Sequence, residues 1–184
     1  DITTPVLTNL SVNTDTGSYN PTIVVNGDYN DGYTMTIHRS LHMVEIDGEL
    51  GGKIDILGEG HEIDYLLYVG TDLSGSVTIA GGLLGLAIGN DLSGTLDVGV
   101  DLGQASDSED FLEIRGGVSG TLAVGRDLYG GGWGGGLIDG ALTGTLTIGR
   151  DLLGVWLAIH GFPADSTLTI GGDLTNGISA AQNI

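Results

Sequence analysis

Apolar residues return along this chain in one short phrase. Between Leu146 and Leu152 it reads LTIGRDL, an apolar-x-apolar-Gly-x-Asp-Leu order. Near copies stand at 67–73 (LYVGTDL), 86–92 (LAIGNDL), 96–102 (LDVGVDL), 122–128 (LAVGRDL) and 168–174 (LTIGGDL). Looser copies extend toward the N-terminus: IVVNGDY (23–29), MTIHRSL (35–41), VEIDGEL (44–50) and a faded LSVNTDT (10–16). The two leading apolar residues are two positions apart, the period of a strand with one buried face. Gly-x-Asp reads as a turn, and the closing Leu supplies a third apolar anchor after it.

Units beginning at 67, 77, 86 and 96 are nine or ten residues apart, and those at 112, 122, 136, 146, 157 and 168 are ten to sixteen apart. A helix does not fit between them. Strands this short are unstable alone and gain a core only by stacking on their neighbours. The pattern therefore predicts an all-β chain folded as a parallel β-solenoid, or β-helix. Two units per coil give coils of 19 to 26 residues, and three give about 30 to 35. Two is preferred, because the longer connections at 57–66, 103–111 and 129–135 then fall on one edge, and solenoid insertions cluster in this way. The expected division is an N-terminal strand, cap or assembly segment (1–22), repeats (23–174) and a tail (175–184). Neither end reads as a polar cap, and TIVVNG (22–27) is expected to offer a strand to another chain.

Composition narrows the function. Gly numbers 35 of 184 residues, yet 40% hydrophobic content gives enough apolar surface to fold rather than stay disordered. Corner turns and close backbone stacking explain the glycines. The formal net charge is −19, with only five Lys and Arg, so a groove neutralising several phosphates cannot be assembled and nucleic acid is excluded. Cations or cationic partners suit such a chain better. Cysteine is absent, which removes disulfides, thiolate nucleophiles and thiolate zinc sites. No run of eighteen apolar residues occurs, so no transmembrane helix is expected. The first residues do not read as a signal peptide, and for a secreted protein the signal is expected to have been removed.

The phrases GTLTIGRDL (144–152) and STLTIGGDL (166–174) resemble those of large repetitive extracellular bacterial β-helix proteins. That resemblance covers residues 23–174 and implies a surface adhesin, sheath component or filament. A second resemblance is to bactofilins, cytoskeletal solenoids that polymerise end to end without nucleotide. The glycines are sparser than in the calcium-binding nonapeptides of secreted β-rolls, so turn-bound calcium is not implied by that comparison.

With two units per coil, Asp101, Asp127, Asp151 and Asp173 stack at one corner, and Asp72 and Asp91 at the other. Like charges about 4.8 Å apart repel unless neutralised. Turn amides together with Arg126 and Arg150 can supply this, and so can calcium bridging adjacent carboxylates. Asp107, Glu109 and Asp110, with Glu113 nearby, form either a solvated loop or a local calcium site. Outward positions of one face read Ser76/Thr78, Thr95/Asp97, Thr121/Ala123, Thr145/Thr147 and Thr167/Thr169. Strand propensity explains them, while a flat Thr-x-Thr array is also similar to ice-binding solenoids. Tyr129, Trp133 and Trp156, on the insertion edge, are candidates for stacking on a sugar or for packing a loop.

Asp55 and Asp97 lie on the Thr face too far apart for a catalytic pair, and His38, His42, His61 and His160 lack metal-ligand spacing. The expectation is a non-enzymatic extracellular or cell-surface structural protein: a self-assembling fibre subunit, adhesive segment or spacer. It associates end to end, with carbohydrate or another surface protein as further partners and calcium as the candidate ion. The alternatives are a carbohydrate-active β-helix enzyme or binding module, and an ice-binding solenoid.

Overall fold

The computed structural model describes residues 10–13, 21–58, 60–103, 112–130, 136–154, 157–175 and 178–180. They contain eighteen strands: β1 (Leu10–Asn13), β2 (Thr22–Val25), β3 (Thr34–Ile37), β4 (Leu41–Ile46), β5 (Lys53–Ile56), β6 (Ile63–Val69), β7 (Ser76–Ile79), β8 (Leu83–Ile88), β9 (Thr95–Val98), β10 (Leu112–Ile114), β11 (Thr121–Val124), β12 (Leu128–Gly130), β13 (Gly136–Ala141), β14 (Thr145–Ile148), β15 (Leu152–Gly154), β16 (Leu157–Gly161), β17 (Thr167–Ile170) and β18 (Ile178–Ala180). The chain is an all-β solenoid of about six turns, with parallel sheets and no helix among the described residues.

Successive strands alternate between two sheets. One holds β1-β2-β4-β6-β8-β10-β13-β16-β18 and the other β17-β14-β11-β9-β7-β5-β3, while β12 and β15 pair along the edge between them. Two repeat units thus make one coil. In the second sheet Met35, Ile54, Val77, Leu96, Leu122, Leu146 and Leu168 lie in one register column, at intervals of 19, 23, 19, 26, 24 and 22 residues. β5 leads to β6, β9 to β10 and β11 to β13, so each of the longer connections leaves the second sheet for the first.

The phrase explains the core. In the coil from Leu86 to Leu102, the inward positions Leu86, Ile88, Leu92, Leu96, Val98 and Leu102 are all at most 1% exposed. Each such side chain contributes about 1.5–3 kcal/mol on leaving water. The apolar residue after each corner turn forms its own column: Tyr29, Leu50, Leu73, Leu92, Val118 and Leu142 at one corner, and Leu83, Leu102, Leu128, Leu152 and Leu174 at the other. The glycines before β7, β9, β11 and β14 are needed for close approach. A methyl on Gly120 would collide with the carbonyl oxygen of Gly94, one coil below.

The ends differ from the expectation. LSVNTDT does not begin the parallel repeat: β1 runs antiparallel to β2, pairing Leu10 with Val25. TIVVNG is therefore no open edge, since β2 lies between β1 and β4. Residues 178–180, in the expected tail, extend the first sheet by pairing with β16.

Leu146 is completely buried, whereas its neighbour Thr147 faces outward. Leu146→Asp places an unpaired charge between coils and is expected to cost more than about 4 kcal/mol, abolishing the cooperative transition. Thr147→Asp is expected to stay within about 1 kcal/mol of the parent in urea titrations followed by circular dichroism. Equal tolerance of both changes would refute the register.

Candidate functional site

The corners carry the densest chemistry in the molecule. At one corner the leucine N–H donates to the Asp carbonyl of the next coil: Leu102 to Asp127 at 3.0 Å, Leu128 to Asp151 at 3.0 Å and Leu152 to Asp173 at 2.9 Å. The Asp N–H is met by the preceding coil's carboxylate. Asp127 N donates to Asp101 Oδ1 at 3.0 Å, Asp151 N to Asp127 Oδ1 at 3.2 Å and Asp173 N to Asp151 Oδ1 at 2.7 Å. The opposite corner repeats the device, with Glu49 N on Asp28, Asp91 N on Asp72 and Gly117 N on Asp91. Asp is required because its short side chain reaches an amide one strand spacing away.

Arginines offset the charge of this column. Arg126 binds Asp101 through two nitrogens, at 3.2 and 2.8 Å. Arg150 grips Asp127 in the same way, with Nε 2.7 Å from Oδ1 and Nη2 on Oδ2. Asp127 is completely buried. Its carboxyl is held below the usual carboxylate range, chiefly by the Arg150 hydrogen bond and also by the Asp151 amide and Tyr129 hydroxyl, which together outweigh burial. Tyr129, one of the residues expected to meet a sugar, donates its hydroxyl to Asp127 Oδ2 at 3.2 Å. Burial, with the Asp127 carboxylate beside it, pushes the Tyr129 phenol up.

Of the stacked carboxylates expected to bind calcium, Asp101, Asp127 and Asp151 each accept an amide, and the first two a guanidinium as well. Among the described residues, no group of three or more acidic or histidine side chains is arranged to hold an ion. Asp107, Glu109, Asp110, Trp133 and Trp156 lie outside the described residues.

The second sheet presents the expected outward columns. Thr95, Thr121, Thr145 and Thr167 stack in one, and Asp97, Ala123, Thr147 and Thr169 in the other. Further down, the columns include Lys53 and Asp55. Asp55 is only 8% exposed, with Lys53 Nζ 2.7 Å away, and so is covered rather than presented to solvent.

The first sheet holds a feature that the repeat conceals. β6 carries one residue more than β4 and β8 between Ile63 and Leu66, and β13 carries one more than β16 between Ile138 and Ala141. Both irregularities set an Asp beside a His of the neighbouring coil. His42 Nδ1 lies 2.8 Å from Asp64 Oδ1, and His160 Nδ1 lies 2.5 Å from Asp139 Oδ1. The His42 imidazole also stacks on Tyr65, with centroids 5.0 Å apart and planes within 10°. The long apolar run of IDYLLYV was the available sequence signal for the first of these. A shallow depression of about 360 Å³ beside this region is lined by Glu62, Asp64 and Asp101.

No protein-family model, curated protein or solved structure matches the chain.

The two Arg–Asp pairs differ in burial, since the Asp101 side chain is 21% exposed and that of Asp127 is fully covered. Arg150→Met takes the chief donor from a fully covered carboxylate and is expected to cost clearly more stability than Arg126→Met. Because the folded pKa of Asp127 is depressed, its contribution is present above the unfolded value of about 3.9 and is lost as pH falls through the folded value. Asp127→Asn should therefore be less stable than the parent at neutral pH, with the gap narrowing below about pH 4. Urea titrations at several pH values check both. Equal costs for the two arginines, or a gap that is constant with pH, would contradict the ladder.

Proposed function

We propose that this chain is a structural module, a rigid β-solenoid segment of an extracellular or cell-surface fibre, spacer or adhesive protein, which associates through its C-terminal coil. Supporting this reading is the contrast between the ends of the stack. At the N-terminal end Ile23, Val25, Tyr29 and Met35 are at most 6% exposed, and burial pushes the Tyr29 phenol up to about 12. At the other end Leu174 occupies the inward leucine column and is 48% exposed, with Leu168, Ile170 and Ile178 only partly buried. This is the cross-section of a core, rimmed by strand backbone that another coil can pair with. The ladder also has a direction. Asp173 and Leu174 occupy the positions at which lower coils accept an amide and donate one.

Because β1 covers the other end of the first sheet, like ends meeting is the favoured contact. Such a contact closes with two-fold symmetry into a dimer, whereas a filament requires β1 to move aside. Self-association works against a net charge of −19 on each copy, so it should strengthen as salt screens the repulsion.

Sedimentation across a range of protein and salt concentrations tests this reading. The parent is expected to show a concentration-dependent dimer favoured by salt, and Leu174→Glu to stay monomeric with an unchanged melt. A parent that remains monomeric throughout would remove end association from the proposal.

A further inference from the structure

Two tyrosines distinguish the outer surface of the first sheet. Tyr65 and Tyr68, 45% and 36% exposed, are the large aromatic side chains that stand out into solvent among the described residues. They lie three positions apart on β6, which in a regular strand would send them to opposite faces. The additional residue between Ile63 and Leu66 changes that parity and turns both rings outward. It does so at the expense of regular pairing at that point in the ladder.

A donor–acceptor pair stands beside Tyr65, and a second lies further along the column of Tyr68. Tyr65 stacks against His42, which Asp64 holds at 2.8 Å, so one face of the ring is fixed against a braced imidazole. Tyr68 stands in an outward column between Glu45 and Ala87, followed by Glu113. Arg115 is paired to Glu113 at 3.0 Å. On a strongly acidic protein, both pairs join a carboxylate to a cationic or hydrogen-donating partner. The rings are roughly 10 Å apart at most by strand rise, close to the span of a disaccharide.

We infer that Tyr65 and Tyr68, with the His42–Asp64 and Glu113–Arg115 pairs, form a binding platform for a neutral polysaccharide. The aromatic rings take the apolar faces of sugar rings, and the flanking pairs exchange hydrogen bonds with their hydroxyls. A polyanion would be repelled by the surrounding charge. A second copy of the chain would bring its own carboxylates against Glu45, Asp64 and Glu113. The second irregularity supplies a contrast within the same sheet. Asp139 and His160 repeat the His–Asp pair, but Gly140 follows the Asp where Tyr65 follows Asp64, so there is no ring to stack on. This site is distinct from the C-terminal end and stands or falls independently of association there.

Calorimetric titration of the full chain with cellohexaose, chitohexaose and xylohexaose tests the inference. At least one is expected to bind saturably. The Tyr65→Ala/Tyr68→Ala variant should bind it at least about tenfold more weakly while melting like the parent. Tyr68→Phe, which keeps the ring, should retain most of the affinity. Saturation-transfer NMR on the parent should place the sugar protons against tyrosine rings, a readout independent of whether the double variant folds. Failure of all three sugars to bind overturns the platform. So does binding that persists in the folded double variant. Loss of self-association rather than of sugar binding in that variant would assign the face to a second copy instead.

Discussion

The structure depends on stacking like upon like at one strand spacing. A parallel solenoid places nearly every residue of a coil over its counterpart in the coil below, so any feature of the phrase becomes a column. Leucine above leucine gives a continuous core, and glycine above glycine lets backbones approach within the reach of a single hydrogen bond. Aspartate above aspartate should repel. It is tolerated because each carboxylate accepts the amide of the next aspartate, which makes it part of the backbone network. Where burial is complete, at Asp127, Arg150 and Tyr129 add further donors. Stability and electrostatics at the corners are thus one problem with one solution, repeated in coil after coil.

The sheets use their outer faces differently because their regularity differs. Between the paired columns of the second sheet the register is unbroken from β3 to β17, and threonine predominates on its outer face. The first sheet admits extra residues in β6 and β13. Departures from the phrase are where unusual side chains gather: His42, Asp64 and Tyr65 at one, Asp139 and His160 at the other. In a molecule whose sequence is dominated by stacking, chemistry specific to one coil appears where the repeat is locally broken.

The fold was legible because the phrase states its own geometry. Period-two apolar residues, a Gly-Asp turn and a closing leucine specify strand, corner and inward anchor, and the spacing of the long connections selects two units per coil. The corner columns could be read for the same reason, including the places of Arg126 and Arg150. Chain direction at the N-terminus could not. LSVNTDT has the apolar spacing of a repeat, but spacing does not fix pairing sense, and β1 runs antiparallel. The covering of Asp55 by Lys53 also escaped the pattern, since outward parity says nothing about what a neighbouring long side chain overlays. The role of Tyr129 depends on the depth of Asp127. The tyrosine platform was hidden because one inserted residue reverses the parity on which the inward and outward assignment rests.

Removing one whole coil tests the central claim most directly. Val77 and Leu96 are register partners, so deleting residues 77–95 joins Ser76 to Leu96 with every column still in phase. Deleting residues 77–90 stops short of a coil and brings Asp91 to a strand position. Stacking of in-phase coils predicts that the first deletion keeps a single cooperative urea transition with β-sheet circular dichroism, with a slope reduced in proportion to the lost surface, and that the second abolishes it. Loss of cooperative folding in the whole-coil deletion, or equal tolerance of both, would contradict the account.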